Sequence, residues 1–210
     1  MLTVDVALAF FAASLLLGIA PGPDNIFVLT QSAIYGAASG IVTTLGLVTG
    51  LCVHTGAVAL GVAAIFQSSA LAFTILKTVG AVYLLWLACL SFKAGASLAV
   101  TRGDSASFPG YGALYRRGIV MNVTNPKVSL FFLAFLPQFC DPARGSMAMQ
   151  VLSLGLLFML ASIVVFFSVA LLGGRLAVWF NKSPGGQVLI HRAAGLVFVG
   201  LAVALLFTGR

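Results

Sequence analysis

Two of the ionisable side chains within the apolar segments of this 210-residue chain directly follow a proline. Asp24 follows Pro23 in the first half of the chain, and Lys127 follows Pro126 in the second half. A charge in hydrocarbon costs about 2.5–3.5 kcal/mol even on the mildest insertion scale, so it persists where it faces a cavity or a partner. A carboxylate and an ammonium at one depth would suit the two charges of a zwitterion.

The prolines imply that polar backbone groups lie at the same depth as these charges. A proline has no amide hydrogen and leaves a carbonyl upstream without its helical partner. Such freed groups are tolerated at membrane depth only where they are buried in protein or line water. Breaks at corresponding points of two halves are typical of a transporter's binding site. The residues predicted to break the helices are Pro21, Gly22, Pro23 and Pro126.

The polar side chains beside the breaks form the candidate site. Asp24 would bind an α-ammonium and is the first candidate for a proton-coupling group, while Lys127 or the N-termini of the half-helices would bind a carboxylate. Two other interpretations stay open: Asp24 as the N-cap of a short interfacial helix, and Lys127 as a lysine that extends to the membrane surface. The predicted substrate-binding residues at the breaks are Asp24, Asn25, Asn122, Asn125 and Lys127.

A stripe of small residues precedes a histidine in the second apolar segment. Gly46, Gly50 and His54 recur every four residues, which gives a flat helix face that permits close packing. His54 therefore faces the helix bundle and is the second candidate for proton coupling. The alternative is a buried neutral histidine bonded to a backbone carbonyl.

Composition indicates an integral membrane protein. The chain is 61% hydrophobic and 7% charged, with a mean hydropathy of +1.15, whereas soluble domains are about a quarter charged. The net charge of +7 comes from basic residues in the connections rather than in an aromatic-rich patch, so we do not expect nucleic-acid binding. The three cysteines are far apart, so neither a structural disulfide nor a zinc site nor another cofactor is expected.

The apolar segments predict an all-α, polytopic membrane protein with six transmembrane helices, because a span needs about 20 apolar residues. Helices 1 and 4 would be the broken ones. The predicted spans are 5–30, 40–66, 70–92, 114–139, 147–173 and 188–208.

Basic connections give the predicted orientation. Placing them in the cytoplasm leaves both termini outside. Six spans divide into two groups of three, and a repeated unit with an odd number of spans must insert the second time upside down. We therefore expect one transmembrane transporter domain with repeat one at about 1–92, a linker at about 93–112 and repeat two at about 113–210. The basic residues are Lys93, Arg102, Arg116 and Arg117 in the first connection, and Arg175, Lys182 and Arg192 in the second.

Other functional classes fit the pattern less well. A membrane thiol–disulfide electron carrier can share a three-plus-three plan, but it needs a reactive cysteine in each half. Here the breaks carry Asp24 and Lys127, and no cysteine lies beside either. An intramembrane hydrolase would need a G-x-S-x-G serine or two deep aspartates, and neither occurs. We do not expect an enzyme.

Several stretches carry a resemblance to a known family. They are Pro21 to Asp24, the stripe that ends at His54, and the run from Gly118 to Lys127, which Phe131 to Phe139 follows. With these motifs the chain resembles the LysE/RhtB family of bacterial amino-acid exporters over nearly its whole length. On physical grounds Gln138 is a gate or an interfacial residue, and the resemblance adds it to the predicted substrate-binding residues.

The resemblance implies six spans, an inner-membrane location and export of small amino acids or related metabolites, driven by the proton-motive force. The expected partners are thus an amino acid, protons and the lipid bilayer. Neutral or zwitterionic amino acids are favoured over lysine and arginine, since a cationic side chain would need a second intramembrane acid. The glycine stripe could pack helices within one subunit or between the two subunits of a homodimer.

Overall fold

The computed structural model describes residues 2–68, 70–95 and 107–207, and within these ranges it contains helices and no strands. The predicted linker at 93–112 falls largely on residues 96–106, which lie outside the described residues. The helices are α1 (Val4–Ile19), α2 (Pro23–Tyr35), α3 (Ala37–Ser68), α4 (Ala70–Lys93), α5 (Tyr111–Val123), α6 (Pro126–Leu130), α7 (Met147–Lys182) and α8 (Pro184–Phe207).

The segment after α6 continues as tighter and wider helical turns. A π-helical turn covers Phe131–Phe135, and a 3₁₀ turn covers Leu136–Phe139. A second 3₁₀ turn, Pro142–Arg144, lies in the connection to α7. A π-helical turn within a helix marks a local register change, which is frequent at functional sites.

Four of the described helices, α3, α4, α7 and α8, are long and apolar enough to cross a membrane. The number rises to six if each bent pair of helices is one span. The axes of α1 and α2 meet at 60°, and α5 meets the segment Pro126–Phe139 at 47°. Both breaks therefore occur where the prolines predict them.

Proline and its neighbours explain how each second half-helix begins. Pro23 and Pro126 occupy the first helical turn, where a missing amide hydrogen has no intrahelical acceptor to lose. The N-cap of α2 is Gly22, in an extended conformation, and its lack of a side chain leaves that cap without a side-chain hydrogen bond. The N-cap of α6 is Asn125, whose Oδ1 accepts a hydrogen bond from Lys127 N at 3.0 Å.

The predicted end of the fifth span is wrong. We expected it near residue 173, with Arg175, Lys182 and Arg192 in the connection that follows. Instead, α7 continues to Lys182, and only Ser183 separates it from α8. Arginine and lysine are good helix formers, and a cation near a helix C-terminus interacts favourably with its dipole. The helix therefore extends beyond its apolar part.

The glycine stripe brings α3 against α5 within one chain. A Cβ atom placed on Gly118 would lie 3.0 Å from the backbone nitrogen of Leu47 and 3.1 Å from the Cα of Gly46. One turn further, a Cβ on Gly50 would lie 2.8 Å from Oδ1 of Asn122. Since α5 occupies the stripe, the stripe is not the surface of a homodimer.

The other helices pack in two groups. The α7 helix packs against α1, α2 and α3, and α4 packs against α8. An aromatic cluster fills the space between α1, α7 and the end of the fourth predicted span. Its rings have centroids 4.8–6.4 Å apart and belong to Phe10, Phe131, Phe132, Phe135, Phe139 and Phe158.

Candidate functional site

Four of the predicted site residues are buried at the two breaks. Asp24 is 2% exposed, Asn122 2%, Asn125 3% and Lys127 7%. Burial of a lysine to this degree excludes the interpretation in which Lys127 extends to the membrane surface. Its ammonium must find its hydrogen-bond partners inside the protein.

Lys127 satisfies carbonyls that the first break leaves free. Its Nζ donates to the carbonyl oxygens of Leu17 at 3.2 Å and Ala20 at 2.9 Å. In a continuous helix the carbonyl of Leu17 would accept from residue 21, but Pro21 has no amide hydrogen. An ammonium at this point also complements the negative end of the α1 dipole.

Asn25 and Gly22 complete the arrangement at the first break. Asn25 Nδ2 donates to the carbonyl of Gly18 at 2.7 Å, so another freed acceptor is paired. A Cβ on Gly22 would lie 2.9 Å from Lys127 Nζ, closer than such contacts occur. Gly22 thus leaves the space that the ammonium occupies.

His54 has the corresponding place at the second break. Pro126 cannot donate to the carbonyl of Asn122, and His54 Nε2 lies 3.1 Å from that oxygen. Since a carbonyl only accepts, Nε2 carries the hydrogen. The backbone N–H of Asn125 donates to the same oxygen at 3.0 Å, and the ring of His54 contacts that of Phe132. His54 is therefore bonded to a carbonyl, as its alternative interpretation proposes.

Asp24 is not an N-cap, since Gly22 holds that position in α2. Its Oδ2 instead accepts a hydrogen bond from Asn122 Nδ2 at 3.2 Å. The carboxylate also interacts electrostatically with Lys127 and His54, and the side chain of Asn125 lies close enough to interact with it, although no hydrogen bond of normal geometry joins the two. Asn122 thus joins Asp24 through its side chain and His54 through its main chain.

Four buried polar atoms at the breaks have no hydrogen-bond partner among the described residues. Three are acceptors and one is a donor. A buried unpaired polar atom costs about 1–3 kcal/mol, so their concentration here is unlike a purely structural cluster. They are Asp24 Oδ1, Asn25 Oδ1, Asn122 Oδ1 and Asn125 Nδ2.

A cavity of about 340 Å³ reaches both breaks. Asn125, Lys127 and the segment 21–23 form one wall, and side chains of α4 and α8 form the other. A second cavity of about 340 Å³ includes Gln138, together with residues from the N-terminal end of α1 and from the loop before α7.

Gln138 is the one predicted binding residue that the structure does not bring to the breaks. It lines the second cavity, and its Nε2 donates to the carbonyl of Ala134 at 3.2 Å. Conversely, Tyr83, Trp86 and His191 line the first cavity although the sequence did not single them out as site residues. The residues at 83, 86, 87, 90, 91 and 94 lie on one face of α4, but this helix is apolar on all sides, so its sequence carries no signal that marks this face.

Comparison with known proteins gives a consistent result. The family model described as "LysE type translocator" matches residues 15–209. The homoserine/homoserine lactone efflux protein of Salmonella typhimurium is 35% identical over 100% of this chain and 99% of its own length. An uncharacterized membrane protein of Vibrio cholerae is 31% identical over 96% and 97%, and the leucine efflux protein of Klebsiella pneumoniae is 27% identical over 94% and 93%. No solved structure matches.

Proposed function

The chain belongs to the LysE type translocator family, whose members are transporters and not enzymes, and from this premise we propose that it exports a neutral amino acid by proton-coupled alternating access. The observation that carries the proposal is the group of unpaired polar atoms at the two helix breaks. Two of its relatives are named for efflux of homoserine, homoserine lactone and leucine, none of which has a charged side chain.

The site is proposed to hold the two ends of the amino acid separately. Its α-ammonium has three hydrogens, and Asp24 Oδ1, Asn25 Oδ1 and Asn122 Oδ1 are acceptors for them. Its carboxylate would bind Asn125 Nδ2 and the third N–H of Lys127, the other two being directed at carbonyls of the first break. Gln138 would contact the substrate later, from the second cavity.

Asp24 is proposed to bind the coupling proton, with His54 as a second carrier. A protonated Asp24 would release the ammonium, so proton and substrate would compete for one carboxylate. Moving one charge through the membrane potential is worth about 2.3 kcal/mol per 100 mV. One inward proton could therefore sustain a substantial outward gradient of amino acid.

Two inverted three-helix repeats are proposed to carry this cycle, at about 1–92 and 113–210. The helix contacts support the symmetry. The helix α5 of the second unit packs on α3 of the first, and α1 and α2 of the first unit pack on α7 of the second. Likewise α8 contacts α1, while α4 contacts the π-helical turn. If the two units are exchanged, the contact of α5 with α3 corresponds to that of α1 and α2 with α7. The contact of α8 with α1 then corresponds to that of α4 with the π-helical turn.

The proposed orientation places both termini outside the bacterial inner membrane. The first cavity then lies towards the cytoplasm, since its lining includes Ala94 and His191, next to the basic residues Lys93 and Arg192. The second cavity lies at the outer end, beside the N-terminal residues Leu2 and Thr3. The polar centre between the two cavities would open to each side in turn.

The alternative of a thiol–disulfide electron carrier finds no support. Cys52 and Cys89 are exposed, Cys140 lies near the second cavity, and none of the three contributes to the lining of the cavity at the breaks. The relatives from Salmonella typhimurium and Klebsiella pneumoniae are named as efflux proteins.

The test is efflux from cells preloaded with dipeptides of many amino acids. We expect cells with the wild-type protein to expel at least one neutral amino acid faster than empty-vector cells. Asp24→Asn should abolish the difference. Asp5→Asn is the matched control, because Asp5 is an exposed acid in the first turn of α1 and lines neither cavity. If no amino acid leaves faster than from empty-vector cells, the proposal is wrong.

A further inference from the structure

The cavity at the two breaks has one polar wall and one largely apolar wall. Asn125, which is buried and has an unpaired Nδ2, and Lys127 line the polar wall. Opposite them lie Tyr83, Trp86 and Phe198. The cavity volume of about 340 Å³ is larger than the backbone part of an amino acid, so the cavity has room for a side chain.

The apolar wall belongs mainly to one face of α4. Leu87 and Leu90 continue the face that Tyr83 and Trp86 begin, at the three- and four-residue spacing of a helix. The rings of Tyr83 and Trp86 have centroids 5.3 Å apart. An aliphatic or aromatic group in this position would leave water and gain contact with these side chains, which is favourable by roughly 0.8 kcal/mol per buried methylene.

Charge in the cavity disfavours a cationic side chain. None of the described residues that line it carries a carboxylate. Lys127 is the charged residue of its polar wall, and it is almost fully buried. A second ammonium in this space would be repelled by the first at low dielectric and would lack a countercharge.

We propose that this cavity receives the side chain of the exported amino acid and that the α4 face selects uncharged, apolar side chains of about leucine size. The inference rests on the proposed function and specifies its substrate class. It assigns Trp86, Leu87 and Leu90 to specificity, whereas the breaks bind the ammonium and carboxylate that all amino acids share.

Two leucines on α4 provide a matched pair for the test. Leu90 is 46% exposed and lines the cavity, whereas Leu85 is 39% exposed and does not. The wild type, Leu90→Ala and Leu85→Ala are reconstituted in proteoliposomes, and export of leucine, homoserine and lysine is measured as kcat/KM under the same imposed proton gradient. Leucine-dependent stabilisation of each purified variant in a thermal melt gives a second reading that does not need transport.

The expected order for the wild type is leucine over homoserine over lysine. Leu90→Ala should reduce kcat/KM for leucine about five-fold, as the loss of roughly one kcal/mol of apolar contact implies, and should leave homoserine unchanged. Leu85→Ala should change neither. The inference is overturned if homoserine or lysine is exported as well as leucine, or if Leu90→Ala affects leucine and homoserine equally. Absence of export and of binding for all three amino acids would instead refute the proposed function, and the inference with it.

Discussion

Lys127 Nζ donates a hydrogen bond to the carbonyl oxygen of Leu17 at 3.2 Å, across 110 positions of sequence. That carbonyl is the one that Pro21 deprives of its helical partner. A charged side chain of the second break thus donates hydrogen bonds to backbone carbonyls that the first break leaves without helical donors. His54 likewise donates to the carbonyl of Asn122, which loses its helical donor at Pro126 and also accepts from the backbone N–H of Asn125. The two breaks are therefore parts of one centre.

Lys127→Met should destabilise the protein through the first break. The carbonyls of Leu17 and Ala20 would lose their donor, and each buried acceptor left unpaired costs about 1–3 kcal/mol. The melting temperature of the detergent-purified variant should fall. Lys93→Met, at an exposed position in the last turn of α4, is the control and should melt like the wild type. Equal melting temperatures for the two variants would contradict the role of Lys127 at the break.

Sequence alone predicts the breaks, because the effect of a proline on its own helix is local. The glycine stripe and the direction of His54 follow from helical spacing for the same reason. The partners of Lys127 could not be predicted, since the carbonyls of Leu17 and Ala20 reach it only through tertiary folding. Gln138 was assigned by resemblance, and its distance from the breaks depends on the length of the helical segment that separates them.

Two glycines of α5 should respond to alanine in opposite directions. A Cβ on Gly118 would meet the backbone of α3 at Thr43 and Leu47, which cannot rotate away, so Gly118→Ala should destabilise by about 1–3 kcal/mol. Gly112 has nothing within 4 Å of its Cβ position. Gly112→Ala should therefore be neutral or stabilising by up to about 1 kcal/mol. Thermal melts of both variants test this prediction. A melting temperature of Gly118→Ala equal to that of the wild type would contradict the close crossing of α3 and α5.

His54 should be replaceable by a residue that keeps a donor. His54→Gln retains an N–H that can reach the carbonyl of Asn122. His54→Leu removes one of the hydrogen bonds to that oxygen, which the backbone N–H of Asn125 still reaches, at a cost of about 0.5–1.5 kcal/mol. The melting temperature should fall for leucine and not for glutamine. If His54→Gln is stable but no longer builds a proton-driven gradient, the imidazole also carries protons. If both variants are as stable as the wild type, the hydrogen bond is unimportant.

Labelling of single cysteines should reveal the orientation. Ser146→Cys, in the exposed loop before α7, should react with a membrane-impermeant maleimide added to intact cells, and Arg117→Cys, exposed on α5, should react only after permeabilisation. Cys52 and Cys89 are replaced by serine for this experiment. Cys140 is replaced as well, because it is only partly buried and lines the second cavity, although burial raises the pKa of its thiol to about 12. The reverse labelling pattern would place both termini in the cytoplasm.

Asp24→Asn should abolish proton-driven transport while leaving the protein folded. The amide has the shape of the acid and its oxygen can still accept from Asn122 Nδ2, so the site should retain its packing. It cannot take up a proton, and one proton per substrate accounts for about a 50-fold gradient at 100 mV. Proteoliposomes with wild-type protein or the Asp5→Asn control should accumulate leucine against its gradient in response to an imposed proton-motive force. Asp24→Asn should show none of this accumulation, and it should melt within a few degrees of the wild type. Accumulation at the wild-type level by Asp24→Asn would move the coupling site elsewhere, with His54 the next group to replace.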